Sequence, residues 1–275
     1  MSRWMPVLAL FLLVFGAAAA RAQPRPGDWV VADTGQTSNA VLYFDPLEAS
    51  PAPLTTLVPG HPPVYMNWLR MHPDNRSLLA AESFSGRLGV IQVPGGVFTS
   101  IVAVPDSPNG LALDQDGTLI VSTSGGDRLL RVDLAASTST VIATLPSVLN
   151  HVAIDRDTGE ILAAIFDMNS LAGGRVIRLS RAGQVLGTLA SGFGMTTAVG
   201  WDPVTGDFFV TSYDAPEVQR VTRTGVATTV IRFGGANAVK VDEETGTLVV
   251  GGFDRTARMT AGGQILRGED HKHPL

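Results

Sequence analysis

The chain has 275 residues, of which 45% are hydrophobic and 16% charged, and its formal net charge is −5 at pH 7. This composition excludes a disordered chain, and the negative charge disfavours binding to nucleic-acid phosphates or anionic lipid. The absence of cysteine excludes a disulfide framework, a thiolate zinc site and a cysteine nucleophile. We therefore expect one globular domain with the size of an all-β barrel or propeller.

The first 22 residues have the pattern of a cleaved secretory signal. Arg3 supplies a positive charge, residues 6–15 are almost wholly apolar, and Ala20-Arg21-Ala22 forms a small-residue cleavage site before Gln23. The apolar stretch is shorter than the ~20 residues that span a bilayer, which disfavours a permanent anchor. The sequence therefore predicts a secreted or periplasmic protein that has no membrane contact after cleavage.

One pattern returns with a period of about 40 to 50 residues. Each copy begins with a polar residue, continues as a short apolar strand and ends in a turn rich in Asp, Gly, Asn or Pro, such as Asp116-Gly117. Turns of this composition join antiparallel strands, so each copy predicts a hairpin. The starting residues, which are 42, 41, 47 and 40 residues apart, are Asn67, Asn109, Asn150, Thr197 and Asn237.

Two further strands follow each hairpin. In the copy that starts at Asn109, the second strand is the apolar run 119–121, the third alternates apolar and polar residues over 128–133, and the fourth is the Thr/Val-rich run 140–143. No window has the sustained 3.6-residue period of a helix. Four short strands in each unit of about 42 residues are typical of a β-propeller blade.

The sequence predicts an all-β fold, a six-bladed β-propeller with four-stranded antiparallel blades over residues 23–268. The first unit, residues 27–60, offers only three strands and lacks the Asn-initiated inner strand. We expect it to remain three-stranded or to be completed by a strand from the polar tail, residues 269–275, although that tail is a poor strand. Seven blades would require the first 60 residues to be shared between two units.

The copy that starts at Asn109 resembles a known group of propellers. Residues 108–114, Pro-Asn-Gly-Leu-Ala-Leu-Asp, and residues 116–122, Asp-Gly-Thr-Leu-Ile-Val-Ser, resemble the six-bladed propellers that include NHL-repeat proteins and the senescence-marker/gluconolactonase proteins. Weaker echoes start at Asn150 and Asn237. The resemblance implies a fold more specifically than a function, because these folds support hydrolases, lyases, sensors and interaction scaffolds.

Equivalent repeat positions of a propeller converge near its axis, so the five starting residues form a predicted ring. We call them the ring residues: Asn67, Asn109, Asn150, Thr197 and Asn237. Amides and a hydroxyl suit a hard cation such as calcium or a polar organic ligand. Because none of them is charged, the ring alone does not establish a metal site.

The gluconolactonase resemblance implies a calcium ion held by a Glu, an Asn and an Asp, with the Asp also acting as base. Asn150 matches the Asn ligand, and Asn109 matches an Asn that contacts the substrate. Asn67 stands where the Glu is expected, and Thr197 or Thr196 stands where the Asp is expected. An amide cannot accept the proton that hydrolysis requires. We therefore expect calcium to bind at Asn150 and Asn109 only if the alternative, enzymatic interpretation is right.

Other side chains could supply the missing acid or base. Acidic residues recur in the loops after the second strands: Asp33, Glu82, Asp167, Asp214 and Asp254. They are either a collar that binds a cation or a basic partner, or residues that cap turns, and we favour turn capping. His151, next to Asn150, is a candidate general base or acid, with a structural role as the simpler interpretation.

Two functions remain. The first is an exported, non-catalytic scaffold that binds a protein or a small polar ligand across the top face and mouth, with Phe84, Met168 and Tyr213 as apolar anchors. The second is a calcium-dependent lactonase, esterase or lyase in which the asparagine ring holds the metal and His151 or a loop carboxylate assists. The missing acids favour the first function, and we expect a monomer.

Overall fold

The computed structural model describes residues 29–33, 40–44, 52–56, 66–72, 74, 76–92, 98–167, 170–242, 245–252 and 255–270. This part of the chain contains strands and turns but no helix, and hence no helical segment with the length and hydropathy to cross a membrane. The predicted signal peptide, residues 1–22, and residues 271–275 of the predicted tail lie outside the described residues.

The described residues form 23 strands, and strands that are consecutive in the chain pair antiparallel within each sheet. The bounds are β1 Trp29–Asp33, β2 Ala40–Phe44, β3 Ala52–Thr56, β4 Met66–Met71, β5 Ser77–Glu82, β6 Arg87–Gln92, β7 Phe98–Ala103, β8 Ser107–Leu113, β9 Leu119–Ser124, β10 Arg128–Asp133, β11 Thr138–Thr144, β12 Val148–Ile154, β13 Ile161–Asp167, β14 Ser170–Leu179, β15 Val185–Ser191, β16 Thr196–Trp201, β17 Phe208–Ser212, β18 Glu217–Val221, β19 Ala227–Arg232, β20 Ala238–Val241, β21 Leu248–Gly251, β22 Arg255–Met259 and β23 Ile265–Asp270.

The all-β propeller and its four-stranded antiparallel blades are confirmed, but the number of such blades is five and not six. We number them blade 1 (β4–β7), blade 2 (β8–β11), blade 3 (β12–β15), blade 4 (β16–β19) and blade 5 (β20–β23). The first unit forms a separate three-stranded sheet, β1–β2–β3, in which β1 contacts β4. The physical reason is that a short turn at residues 260–264 folds β23 back onto β22, so β23 becomes the outer strand of blade 5 and is not paired with the first sheet.

Inner strands start the blades and surround a central channel. Neighbouring inner strands contact one another in the order β4, β8, β12, β16 and β20, and all five line the same channel. The second strands are covered on both faces, and every residue of β5 and β17 is buried. This explains why their sequences are continuous apolar runs rather than alternating ones.

The hydrophobic core lies between neighbouring blades. Ile120 and Leu129 of blade 2 pack in one cluster with Leu149 and Val152 of blade 3. Such clusters stabilise the fold by about 25 cal/mol for each Å² of apolar surface removed from water. Each blade therefore depends on its neighbours for stability, and this fixes the positions of the inner strands around the channel.

Arginine–aspartate pairs fasten neighbouring blades beyond the far ends of the inner strands. Asp114, after β8, accepts a hydrogen bond from Arg131 at 2.9 Å within blade 2 and another from Arg181 of blade 3 at 2.8 Å. Asp155, after β12, accepts one from Arg223 of blade 4 at 2.6 Å. Both carboxylates are buried. The aspartate that ends these repeats therefore joins blades in addition to shaping its own turn.

Candidate functional site

Four ring residues lie at β-bulges. The backbone pairing skips Asn67 in β4, Asn150 in β12 and Thr197 in β16, and in β8 the register shifts across Asn109-Gly110. A bulge inserts an extra residue into one strand and re-aims its side chain, and bulges are frequent next to functional sites. The repeated polar residue therefore sits at a repeated irregularity of the inner strand.

The described ring residues line one cavity, which we call the mouth. Its cavity volume is about 310 Å³. Four of its described lining residues are polar ring residues and five are aromatic or apolar: Asn109, Asn150, Thr197 and Asn237, with Trp68, Phe166, Met195, Tyr213 and Ala238. None of these is acidic or basic. The side chain of Asn67 lies outside the described part of the structure. The mouth therefore offers amides, a hydroxyl and aromatic surface without formal charge.

Hydrogen bonds fix the amides of the mouth. Asn109 Nδ2 donates to Asn150 Oδ1 at 3.2 Å, and Asn150 Nδ2 donates to the carbonyl oxygen of Thr196 at 2.8 Å. Buried Ser122 holds the same region, because its hydroxyl donates to the carbonyl oxygen of Asn150 at 3.0 Å and accepts from the Gly110 amide at 2.7 Å. The polar groups are thus oriented before any ligand binds, which lowers the entropic cost of binding.

Trp68, which lines the mouth, stacks on His151, which lines a second cavity, and we call this pair the floor of the mouth. Their centroids are 3.9 Å apart with an interplanar angle of 30°. Trp68 also packs against core clusters of blades 1 and 2 and of blades 4 and 5, so it reaches across the channel. Gly110 makes room for the stack, because a Cβ atom there would lie 2.7 Å from both Cα and Cδ2 of His151.

The environment of His151 keeps its ring neutral. Burial above all, together with the positive charges of Lys240 and Arg70, lowers the pKa of His151 to about 3, against the opposing effect of a hydrogen bond with the backbone of Val199. The residue is only 6% exposed, and Nδ1 lies 3.0 Å from the carbonyl oxygen of Val199. An imidazole with this pKa cannot donate a proton as a general acid near pH 7 and accepts one poorly. These observations favour a packing role over the predicted acid–base role.

A second cavity, which we call the lower chamber, lies on the other side of the stack. Its cavity volume is about 200 Å³, and it shares Trp68 and Ala238 with the mouth. It is lined by the later residues of all five inner strands, whereas the mouth is lined near their starts. Most of its lining is Leu, Val, Ile and Ala, and three residues are cationic: Arg70, Arg156 and Lys240.

The predicted loop acids are not among the described lining of the mouth. Glu82 is buried and accepts a hydrogen bond from the Ser85 hydroxyl within its own turn. Asp214 accepts one from the backbone amide of Met195 at 2.7 Å, the geometry of a turn-holding carboxylate. Asp167 ends β13 half-buried. The side chain of Asp33, and Met168 and Asp254 entirely, lie outside the described residues.

The described donor set does not fit calcium. Ca²⁺ takes six to eight oxygen ligands and normally several carboxylates. The described lining of the mouth has no carboxylate, and Asn150 already uses both ends of its amide within the protein. No group of three His, Asp or Glu residues suited to a metal ion occurs among the residues that the structure describes.

The division of the channel was not predicted from the sequence. The signal was present one residue after each ring residue, at Trp68, Gly110, His151, Ala198 and Ala238. Two large rings and three very small residues at one repeat position indicate a layer in which the rings fill the axis and the small residues leave room for them.

Comparisons with known proteins identify the fold and not a family. No family model and no curated protein matches the chain. A chain in a nidogen/laminin complex is similar with a TM-score of 0.71 and 14% identity, over 84% of this chain and 90% of that one. Virginiamycin B lyase from Staphylococcus aureus is similar with a TM-score of 0.63 and 14% identity, over 90% and 82%.

Regucalcin from Agrobacterium tumefaciens, described as a calcium-binding protein, is similar with a TM-score of 0.62 and 16% identity over 74% of each chain. A putative gluconolactonase is similar at 16% identity as well. The predicted resemblance to gluconolactonase-like propellers is thus supported for the fold. At identities this low, the likeness supports no inference about the activity or the metal binding of this chain.

Proposed function

We propose that this protein is an exported, non-catalytic β-propeller that binds a small neutral polar ligand in the mouth. The observation that carries the proposal is the described lining of the mouth, in which three asparagines and a threonine stand beside Trp68 and Tyr213 without a charged group. Amides can donate and accept hydrogen bonds, and aromatic faces supply apolar contact, which is the usual combination in small-ligand sites.

A neutral ligand suits this mouth better than an ion does. An ion that enters the mouth loses hydration, and the described lining offers no opposite charge in exchange. A polar but uncharged molecule can replace its water hydrogen bonds with those of Asn109, Asn150, Thr197 and Asn237. The export part of the proposal rests on residues 1–22, whose sequence has the three regions of a secretory signal.

A protein partner is a second candidate occupant of the same face. Phe84 is 74% exposed in the turn after β5, on the side of the mouth, and Tyr213 is half exposed at its edge. Aromatic side chains in such positions are typical anchors of interfaces. A calcium-dependent lactonase, esterase or lyase has less support, because neither a carboxylate base nor a His of suitable pKa stands in the described mouth.

The test is a thermal-shift and calorimetric screen of neutral polyols and cyclic amides, each with an anionic and a cationic analogue of similar size. We expect neutral compounds to bind, and Asn150→Ala to weaken them by about tenfold, the value of one or two lost hydrogen bonds. Arg232→Gln, at an exposed position of β19, is the control and should bind normally. A preference for charged analogues, or hits insensitive to Asn150→Ala, would contradict the proposal.

Catalysis is tested separately with lactone, ester and streptogramin substrates in the presence of calcium and after treatment with a chelator. We expect no turnover above the uncatalysed rate. Turnover that requires calcium and disappears in Asn150→Ala would establish the enzymatic alternative instead.

A further inference from the structure

The lower chamber has the size and the walls of a site for a compact organic molecule. Its cavity volume is about 200 Å³, and its walls include Leu113, Ile154, Trp201 and Val241. An apolar cavity of about 150 Å³ already holds one benzene ring. Because apolar surface gains stability when it is removed from water, these walls favour an occupant with a hydrophobic body.

One polar group in the wall lacks a partner. His151 lines the chamber and not the mouth, and the residue is only 6% exposed. Its Nδ1 meets the backbone of Val199, whereas Nε2 has no hydrogen-bond partner among the residues that the structure describes. In this part of the chain the fully covered side-chain atoms without a partner are Asp127 Oδ1, Thr196 Oγ1 and Trp201 Nε1. Nε2 is not one of them, so it is open to the cavity that His151 lines.

The contacts of Nδ1 assign the hydrogen of the ring. The imidazole is neutral near pH 7, because burial above all lowers the pKa of His151 to about 3, so one nitrogen carries a hydrogen and the other a lone pair. Nδ1 lies 3.0 Å from the carbonyl oxygen of Val199 and 3.3 Å from its amide nitrogen. The shorter contact is that of a donor with a carbonyl, so Nε2 is the acceptor. A buried acceptor without a donor is costly, and a ligand that donates to it removes this cost.

The chamber favours an uncharged donor. Arg70, Arg156 and Lys240 also line it, but each already interacts within the protein, so a ligand cannot count on their charges. A charged molecule would lose hydration on entering the apolar cavity, whereas a hydroxyl loses little and can donate to the ring nitrogen.

We propose that the lower chamber binds a compact, uncharged alcohol or phenol, whose hydroxyl donates a hydrogen bond to Nε2 of His151 and whose hydrocarbon body lies against the apolar walls. This site is separate from the one proposed in the mouth. His151 does not line the mouth, and the asparagines and the threonine of the mouth do not line the chamber.

The test is titration of the full mature chain with p-cresol and with p-xylene, which has the same shape but no hydroxyl. His151→Phe keeps an aromatic ring beside Trp68 and removes Nε2. We expect this variant to bind p-cresol about tenfold more weakly than the wild type, the effect of one hydrogen bond, and to bind p-xylene no more weakly. His72→Gln removes an imidazole that lines neither cavity and should bind p-cresol normally. No binding of p-cresol to the wild type, or equal weakening of both compounds by His151→Phe, would overturn the proposal.

A measurement on the wild type decides the matter if His151→Phe fails to fold. The ¹⁵N NMR signal of His151 Nε2 should move toward the position of a protonated nitrogen when p-cresol is added, and p-xylene should leave it in place. A signal that p-cresol does not move would refute the hydrogen bond. Weaker p-cresol binding in Asn150→Ala, with normal binding in His151→Phe, would place the compound in the mouth; it would overturn this inference and leave the function proposed for the mouth intact.

Discussion

The stack of His151 on Trp68 predicts a specific pH dependence of stability. In the folded protein, burial, with help from Lys240 and Arg70, lowers the pKa of His151 from 6.5 to about 3. In the unfolded chain the imidazole takes up a proton as the pH falls through about 6.5. Between these values the unfolded state binds more protons than the folded state, so the free energy of unfolding decreases as the pH is lowered.

The size of the effect follows from that interval. One proton bound only by the unfolded state costs about 1.4 kcal/mol of stability for each pH unit. When the pH falls from 7.5 to 5.0, about 1.5 units of that change lie below the pKa of His151 in the unfolded chain. His151 should therefore lower the free energy of unfolding by about 2 kcal/mol over this range. The stabilising contribution is fully present above pH 6.5 and disappears toward pH 3.

The measurement is urea unfolding of the wild type and of His151→Gln at both pH values, followed by tryptophan fluorescence. The variant has no titrating group at this position. Between pH 7.5 and pH 5.0 the wild type should therefore lose about 2 kcal/mol more of its free energy of unfolding than the variant does. Contributions of Asp and Glu residues are common to both proteins and cancel in the comparison. Equal losses in the two proteins would show that His151 is not buried as a neutral ring and would refute the stacked floor of the mouth.

Three further predictions follow from single contacts. Asp155→Asn should lower the free energy of unfolding by about 1–3 kcal/mol, because it leaves Arg223 without its buried partner. Asp157, a second partner of the same arginine, is 61% exposed, so Asp157→Asn should lower the free energy of unfolding by less than about 0.5 kcal/mol. Chemical denaturation of the two variants measures the difference. Gly110→Ala should cost about 1–3 kcal/mol by displacing the stack, and Gly251→Ala, whose Cβ would meet only Ala238 at 3.6 Å, should cost less in the same assay. Calcium should leave the thermal midpoint unchanged, and a calcium-dependent rise abolished by Asn150→Ala would count against the uncharged mouth.

The sequence was sufficient to predict the strands and the convergence of the four described ring residues, because both depend on local periodicity and on repetition. Asn109, Asn150, Thr197 and Asn237 are 41, 47 and 40 residues apart in the chain and line the same cavity. Repetition alone places equivalent residues at equivalent distances from the axis. Their ligand-binding role remains a prediction.

The number of four-stranded blades was not predictable in the same way. It depends on which partner the C-terminal strand chooses, and β23 pairs with β22 along its whole length. The sequence of residues 265–270 is compatible with strand pairing in general but does not specify a partner. The bulges at Asn67, Asn150 and Thr197 were also hidden, because a register shift is a relation between two strands and leaves no local mark in either.

The division of the channel explains how one ring of similar strands can present two different chemistries. The first residue of each repeat, which lies at a bulge in four of the five, is polar and neutral, and the second is either a large ring or a very small residue. The fourth residue of each repeat is cationic in two repeats, at Arg70 and Lys240, and small in the other three, at Ala112, Ala153 and Gly200. Because the stacked rings of Trp68 and His151 stand between these levels, a change at the bulge position alters the mouth without altering the chamber. Trp68→Ala should therefore be the substitution that couples them, by letting the cationic level influence what binds above it.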